Sequence, residues 1–166
     1  MSELATMPLS RRLLGPYLAW AFRVALGVIF IVAALPKIMR PDLFAWSIAY
    51  YRMVPDNMIN LMAIALPWIE LVCGVALIVG VAIRPNLLVI AAMLAIFIVA
   101  ISLAISRDLD ISCGCFSTGS EKAASMTRWT LYWDIIWLAM SVHALVFDRG
   151  WLSLDGVIKK RRAASA

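Results

Sequence analysis

The stretch Asn86-Leu-Leu-Val-Ile-Ala-Ala-Met-Leu-Ala-Ile-Phe-Ile-Val-Ala-Ile-Ser-Leu-Ala-Ile-Ser106 contains no Asp, Glu, Lys or Arg. It covers the roughly 20 residues a helix needs to cross the hydrocarbon of a bilayer. Inside that hydrocarbon a helix satisfies every backbone donor and acceptor within itself, so the stretch reads as a transmembrane helix. Working outward, Arg84-Pro85 precedes it, and before that lies a second apolar run over 58–83. Two spans separated by so little read as a tight helical hairpin. Further apolar runs cover 17–39 and 129–147. The whole chain of 166 residues is 64% hydrophobic and only 15% charged, with a mean hydropathy of +0.91. Soluble domains are closer to half apolar and a quarter charged. The expected fold is an all-α integral membrane protein, a four-transmembrane-helix bundle in the lipid bilayer.

Between spans one and two, residues 40–57 are too polar to cross. Phe44, Trp46, Ile48, Tyr50 and Tyr51 within them suggest an interfacial segment on the outer face. The divisions read as a cytoplasmic N-terminal segment (1–16), the four-helix domain (17–147) and a basic cytoplasmic tail (148–166). Arg11-Arg12 before an apolar run resembles a signal peptide, but the run is too long and no small-x-small cleavage site follows. It reads as a retained first span.

With four spans both termini share a face. Arg11, Arg12, Arg84, Arg149 and the Lys159-Lys160-Arg161-Arg162 cluster fall there; Lys37, Arg40, Arg52, Arg107, Lys122 and Arg128 fall on the other. The bias favours termini inside the bacterial cytoplasmic membrane, with the 107–128 loop facing the periplasm. The formal charge of +5 is then a topology signal and calls for no nucleic acid. Trp46, Trp129 and Trp133 near one boundary and Trp151 near the other suit interfacial aromatic belts.

That outer loop carries Cys113-Gly114-Cys115. A disulfide between cysteines one residue apart closes a small strained ring, and strained disulfides are the exchange-prone kind. Gly114 supplies the backbone freedom the ring requires. A purely structural bond is the competing reading, although so short a ring removes almost no chain entropy. A structural zinc site fails on ligand count, while a CxC pair can bind copper(I) with few ligands. The single histidine, His143, and Cys73 both fall deep in predicted spans, far from the loop. Cys73 reads as a small buried residue, and His143 as an interfacial histidine with its hydrogen bonds met.

Arg23, Glu70 and Asp134 fall within predicted hydrocarbon, where charges are costly and mark functional sites by default. Counting residues from each span's start puts Arg23 and Glu70 within roughly two helical turns of one depth. They are therefore expected to pair, either fixing helix register or forming a polar wall for a quinone-sized ligand, with Pro67 and Trp68 bending and lining span two. Asp134 is expected to pair with Arg107 or Arg128, or to relay protons for a thiol above it.

These residues add up to a familiar pattern. Ala34-Leu-Pro-Lys37-Ile-Met-Arg-Pro41-Asp-Leu-Phe44, with Ser47-Ile-Ala-Tyr50 and Val54-Pro55, resembles the first-span signature of the DoxX family. Pro67-Trp68-Ile-Glu70-Leu, followed by Gly74 and Gly80, resembles its second span. Asp110-Ile-Ser-Cys113-Gly-Cys115-Phe116 is similar to the Cys-Gly-Cys-Phe-Gly motif of the MauE branch, named for methylamine utilisation, although Ser117 stands where that motif has its last glycine. The resemblance covers roughly residues 20–143. It implies a small four-helix, redox-associated membrane protein, linked to periplasmic thioredoxin-like proteins and, in DoxX relatives, to quinone-coupled thiol oxidation.

The functional expectation is a thiol–disulfide relay. Cys113 and Cys115 exchange with a periplasmic thioredoxin-like or maturing protein, and electrons pass to a membrane acceptor of the quinone type. Lys37, Glu70, Arg23, Trp68 and Asp134 are the supporting or ligand-binding candidates. The alternative is a non-catalytic anchoring subunit of a membrane redox complex, in which the Cys113–Cys115 disulfide only stiffens a docking loop.

Overall fold

A computed structural model describes residues 9–107 and 123–148. The described residues form five helices: α1 (Leu9–Met39), α2 (Pro41–Tyr50), α3 (Asp56–Val79), α4 (Ile83–Ser106) and α5 (Ala123–Phe147). Four stretches within them are long and apolar enough to span a bilayer: Tyr17–Met39, Asp56–Val79, Ile83–Ser106 and Trp129–Phe147. The all-helical four-span fold stands as expected, and the segment between the first two spans is itself the short helix α2.

The spanning helices form a ring in the order α1, α3, α4, α5, with α5 closing back onto α1, and α2 packs across α3. Outward-facing positions carry Val28, Val32, Ile64, Val72, Leu88 and Val99, all exposed. Lipid covers such positions, so the inward-facing ones are distinguished by tight packing and polarity more than by apolarity. Inside lie Leu26, Phe30, Leu77, Leu87, Ile90 and Leu94. Ser141 hydroxyl, buried on α5, donates to the Leu87 carbonyl of α4 at 3.2 Å.

A close approach of α1 to α3 sets their register. A Cβ on Gly27 of α1 would fall 2.8 Å from the Gly74 carbonyl oxygen, and one on Gly74 of α3 would fall 2.8 Å from that of Gly27. The two backbones touch, as they do where small residues face each other in membrane helices. Gly27 and Gly74 therefore lie at one level, and depth elsewhere in the antiparallel pair can be counted from them.

The hairpin between α3 and α4 is not at Arg84-Pro85. The chain turns over 80–82: Gly80 adopts a left-handed conformation (φ 78°, ψ 37°), which caps α3, and Ala82 another (φ 47°) before α4. Pro85 sits inside the first turn of α4, where the amide hydrogen it lacks has no intrahelical partner to lose. Asn86 Nδ2 donates back to the carbonyls of Val81 and Ala82 at 3.0 and 2.9 Å, fastening the turn. One end of the bundle is thus this hairpin. The other, the α2 end, holds the end of α1, the start of α3 and the residues flanking the segment 108–122.

Candidate functional site

Four of the charges buried between these helices form two pairs, and the pairing differs from the sequence expectation. Arg23, 0% exposed, does not meet Glu70. Glu70, 2% exposed, accepts two hydrogen bonds from Lys37 Nζ, at 2.8 Å to Oε1 and 2.9 Å to Oε2. Arg23 Nη1 instead donates to Asp148 Oδ2 at 3.1 Å. Asp148, assigned by sequence to the tail, is buried just past the end of α5.

The Gly27–Gly74 level explains the exchange of partners. Arg23 lies four residues before Gly27 and Glu70 four before Gly74, which in antiparallel helices puts them roughly 12 Å apart along the axis. Side chains tilt toward their own helix N-terminus, so these two also point away from each other. Lys37 lies ten residues beyond Gly27, on the same side of the contact as Glu70. Its side chain tilts back down α1 while that of Glu70 tilts up α3, and the two converge across a level difference of roughly 9 Å.

The Lys37 ammonium has aromatic partners as well as a carboxylate. It lies 5.0 Å from the Phe44 ring centroid of α2 and 5.3 Å from that of Phe97 of α4. Each such contact is worth about 0.5–2 kcal/mol, more where water is excluded. Lys37 is 4% exposed, and helices α1, α2, α3 and α4 all contribute to its setting.

Beside this pair opens a cavity of about 360 Å³, within the roughly 300–1,000 Å³ common for small-molecule sites. Lys37, Glu70 and Asp134 are its charged lining, and Phe97, Trp129, Trp133 and Trp137 supply aromatic walls. Asp134 is buried on α5. Trp129 and Trp133 meet edge to face, with centroids 5.9 Å apart, and the ring of Trp133 lies 6.3 Å from that of Trp137. Such a lining can stack a flat ring, donate a hydrogen bond from an ammonium and accept or give a proton at a carboxyl group.

Of the residues singled out by sequence, Lys37, Glu70 and Asp134 come together here. Arg23 belongs to a separate pair. Trp68, 53% exposed, points off the outer side of α3 and does not line the cavity. Its neighbour Pro67 is the inward-facing residue. Cys73 is buried, as expected. Cys113 and Cys115 lie outside the described residues. His143 departs from expectation: its ring packs edge-on to Phe22 at 5.2 Å, and its buried Nδ1 has no hydrogen-bond partner among the described residues. Sequence reasoning missed Phe97, Trp137 and Asp148. Phe97 carried no signal within an unbroken apolar run. Asp148 did: it is the carboxylate closing the last span.

Comparison with known proteins places the chain among relatives of one family. Residues 15–147 match the family model described as methylamine utilisation protein MauE. The methylamine utilization protein MauE of Paracoccus denitrificans is 32% identical over 114 residues, covering 68% of this chain and 61% of that protein. Its namesake in Methylophilus methylotrophus is 29% identical over 148 residues, covering 86% and 73%. That of Methylorubrum extorquens is 26% identical over 133 residues, covering 80% and 70%. No solved structure matches the chain.

Proposed function

The chain belongs to the MauE family; from that premise we propose that it is a membrane thiol–disulfide relay, serving a methylamine-utilisation system or a related maturation pathway. Cys113 and Cys115 take two electrons and two protons from a dithiol of a periplasmic thioredoxin-like or maturing protein, which leaves as the disulfide. The reduced pair then returns to its disulfide by passing two electrons and two protons to a quinone, which leaves as the hydroquinone. In this reading the protein lies in the bacterial inner membrane, with both termini cytoplasmic.

The observation that carries the reading is the level of the cavity along α4 and α5. Its lining residues Ile101 and Trp129 lie six residues from Arg107 and Ala123, the described residues on either side of the segment holding Cys113 and Cys115. Six helical residues are roughly 9 Å. A thiol donor on that segment and a ring acceptor in the cavity are thus tethered to the same end of α4 and α5.

The chain's own residues have distinct parts in this step. The Trp129, Trp133 and Trp137 walls hold a flat ring and keep water out. Lys37, already desolvated and held by both oxygens of Glu70, offers positive charge to a carbonyl oxygen as it gains electrons. Fixed charge in a dry site stabilises such an oxygen far more than in water. Asp134, buried on α5 in the cavity lining, transfers protons.

The test uses the full chain in membrane vesicles, with the pair reduced and then exposed to decyl-benzoquinone. Free thiols at Cys113 and Cys115 are read by maleimide labelling; buried Cys73 serves as the internal control. The quinone is expected to oxidise the pair, about tenfold more slowly in Lys37→Met, a barrier increase of about 1.4 kcal/mol. Thiols that stay reduced, or an unchanged rate in the variant, overturn the reading. The anchoring alternative requires instead that Cys113→Ser and Cys115→Ser each weaken assembly of a membrane complex and that neither traps a mixed-disulfide partner.

A further inference from the structure

The Lys37–Glu70 cavity has a neighbour. A second cavity, of about 320 Å³, lies between α2, α3 and α4. Its lining includes Phe44, Met62, Leu66, Met93 and Ala100, and no charged side chain. Phe97 lines both cavities. Lys37 lines the first, and its ammonium lies 5.0 Å from the ring of Phe44, which lines the second. The two linings therefore share Phe97, and the Lys37–Phe44 contact joins a residue of one to a residue of the other.

We propose that the two cavities form one divided site for an amphipathic quinone. Its ring lies against Lys37, Glu70 and Asp134, and its prenyl tail passes Phe97 into the second cavity. The inference rests on the reading of the first cavity as a quinone site and adds the class of quinone and its direction of entry. The chemistry of the two linings sorts the two parts of such a molecule. The first cavity has three charged side chains and three tryptophans, suited to a ring with carbonyl oxygens. The second offers methionine, leucine and phenylalanine surface, suited to a flexible hydrocarbon. Moving a tail from lipid into an equally apolar cavity gains little free energy. The tail slot instead fixes which way the ring faces, and orientation of a reacting group lowers barriers directly.

The experiment uses the full chain in phosphatidylcholine nanodiscs with two probes: a tailless dimethoxy-methyl-benzoquinone, and the same ring on a decyl chain ending in a diazirine. Three of the chain's seven tryptophans line the first cavity, so ring binding is read as quenching of tryptophan emission. Tail position is read by mapping photo-adducts. Both probes are expected to quench, with adducts on the segments around Phe44, Met62 and Met93. Ala100→Phe narrows the second cavity; it should leave quenching by the tailless probe unchanged and lower those adducts about tenfold. Quenching with adducts only at lipid-facing Leu88, Val99 or Ile64 overturns the divided site and leaves the first-cavity reading standing. The unsubstituted chain decides this even if Ala100→Phe fails to fold. Adducts in the second cavity without quenching mark a slot for lipid chains and overturn the inference. Absence of quenching by the tailless probe overturns the quinone reading itself, and this inference with it.

Discussion

Two buried ion pairs sit along α1, one on each side of the Gly27–Gly74 contact, and their surroundings differ. Arg23 and Asp148 meet at 3.1 Å toward the hairpin end, the end that also holds the Phe22–His143 edge contact. Lys37 and Glu70 meet through both carboxylate oxygens toward the α2 end, against two aromatic rings and the wall of a cavity. Removing charges from water is costly in either place, and each pair offsets that cost with its own attraction. Enclosed by packed helices, a pair contributes register and nothing further. On a cavity wall, the same charges are already desolvated and fixed when a ligand arrives, so a reacting group meets them without reorganisation. The comparison assigns architecture to Arg23–Asp148 and chemistry to Lys37–Glu70.

The sharpest way to break that assignment is to remove one partner and then both. Lys37→Met leaves the Glu70 carboxylate buried with no partner among the described residues, and the expected loss of stability is about 3–5 kcal/mol. The double change Lys37→Met with Glu70→Leu removes the stranded charge and should recover most of that loss in a thermal unfolding assay. Quinone-driven oxidation of the Cys113–Cys115 thiols should not recover. If activity returned together with stability, the cavity pair would be as architectural as the other.

Asp148→Asn takes from the Arg23 guanidinium the carboxylate it donates to. Asparagine keeps an oxygen acceptor where the carboxylate stood, so the expected loss is smaller, about 1.5–3 kcal/mol. Here the double change Arg23→Met with Asp148→Leu should restore both unfolding temperature and thiol oxidation. A restored fold that stays inactive would move Arg23 into the functional machinery after all.

A third substitution acts on the register that both pairs share. Gly27→Ala puts a methyl 2.7 Å from Ile78 Cγ1 and 2.8 Å from the Gly74 carbonyl. Since a backbone atom must move, the cost should be about 1–3 kcal/mol. Combined with Lys37→Met, the losses should fall short of additive, because the separation of α1 from α3 already weakens the contact that Lys37→Met removes. Full additivity in a double-mutant cycle would show that the glycine contact does not set the level of the ion pairs.

Such couplings mark where sequence reading stopped. The four spans were legible because each apolar run matches the thickness of a bilayer, a constraint that acts on single segments. The hairpin was displaced because Arg84-Pro85 is the more polar dipeptide, whereas the chain turns where Gly80 takes up a left-handed conformation; glycine after a helix with proline inside the next was the available signal. Pairing was not legible, because depth counted from span ends ignores the level set by Gly27 against Gly74 and the opposed tilts of side chains on antiparallel helices. Lys37, Glu70 and Asp134 were recognised as candidates singly, but that they share one cavity depends on contacts between α1, α3 and α5. The Cys113–Cys115 pair, read from sequence alone, lies outside the described residues.

The smallest expected effect belongs to Trp68, and it tests the comparison from outside. Sequence made it a wall of the ligand site, one residue from Pro67 and two from Glu70. In the bundle, Glu70 and Pro67 face inward while Trp68 is 53% exposed on the outer side of α3. It stands near the middle of that helix, Asp56–Val79, away from the interfacial levels where tryptophan anchors a span. Its indole therefore faces lipid tails that a leucine meets equally well. Trp68→Leu should change unfolding by less than about 0.5 kcal/mol, the usual range for substitutions away from packed or paired groups. It should also leave quinone-driven thiol oxidation at the unsubstituted rate. Trp133→Leu, on the cavity wall, should slow that oxidation instead. Equal losses from the two substitutions would mean that ligand contact extends across α3 to its lipid face, and the cavity beside Lys37 and Glu70 would no longer define the site.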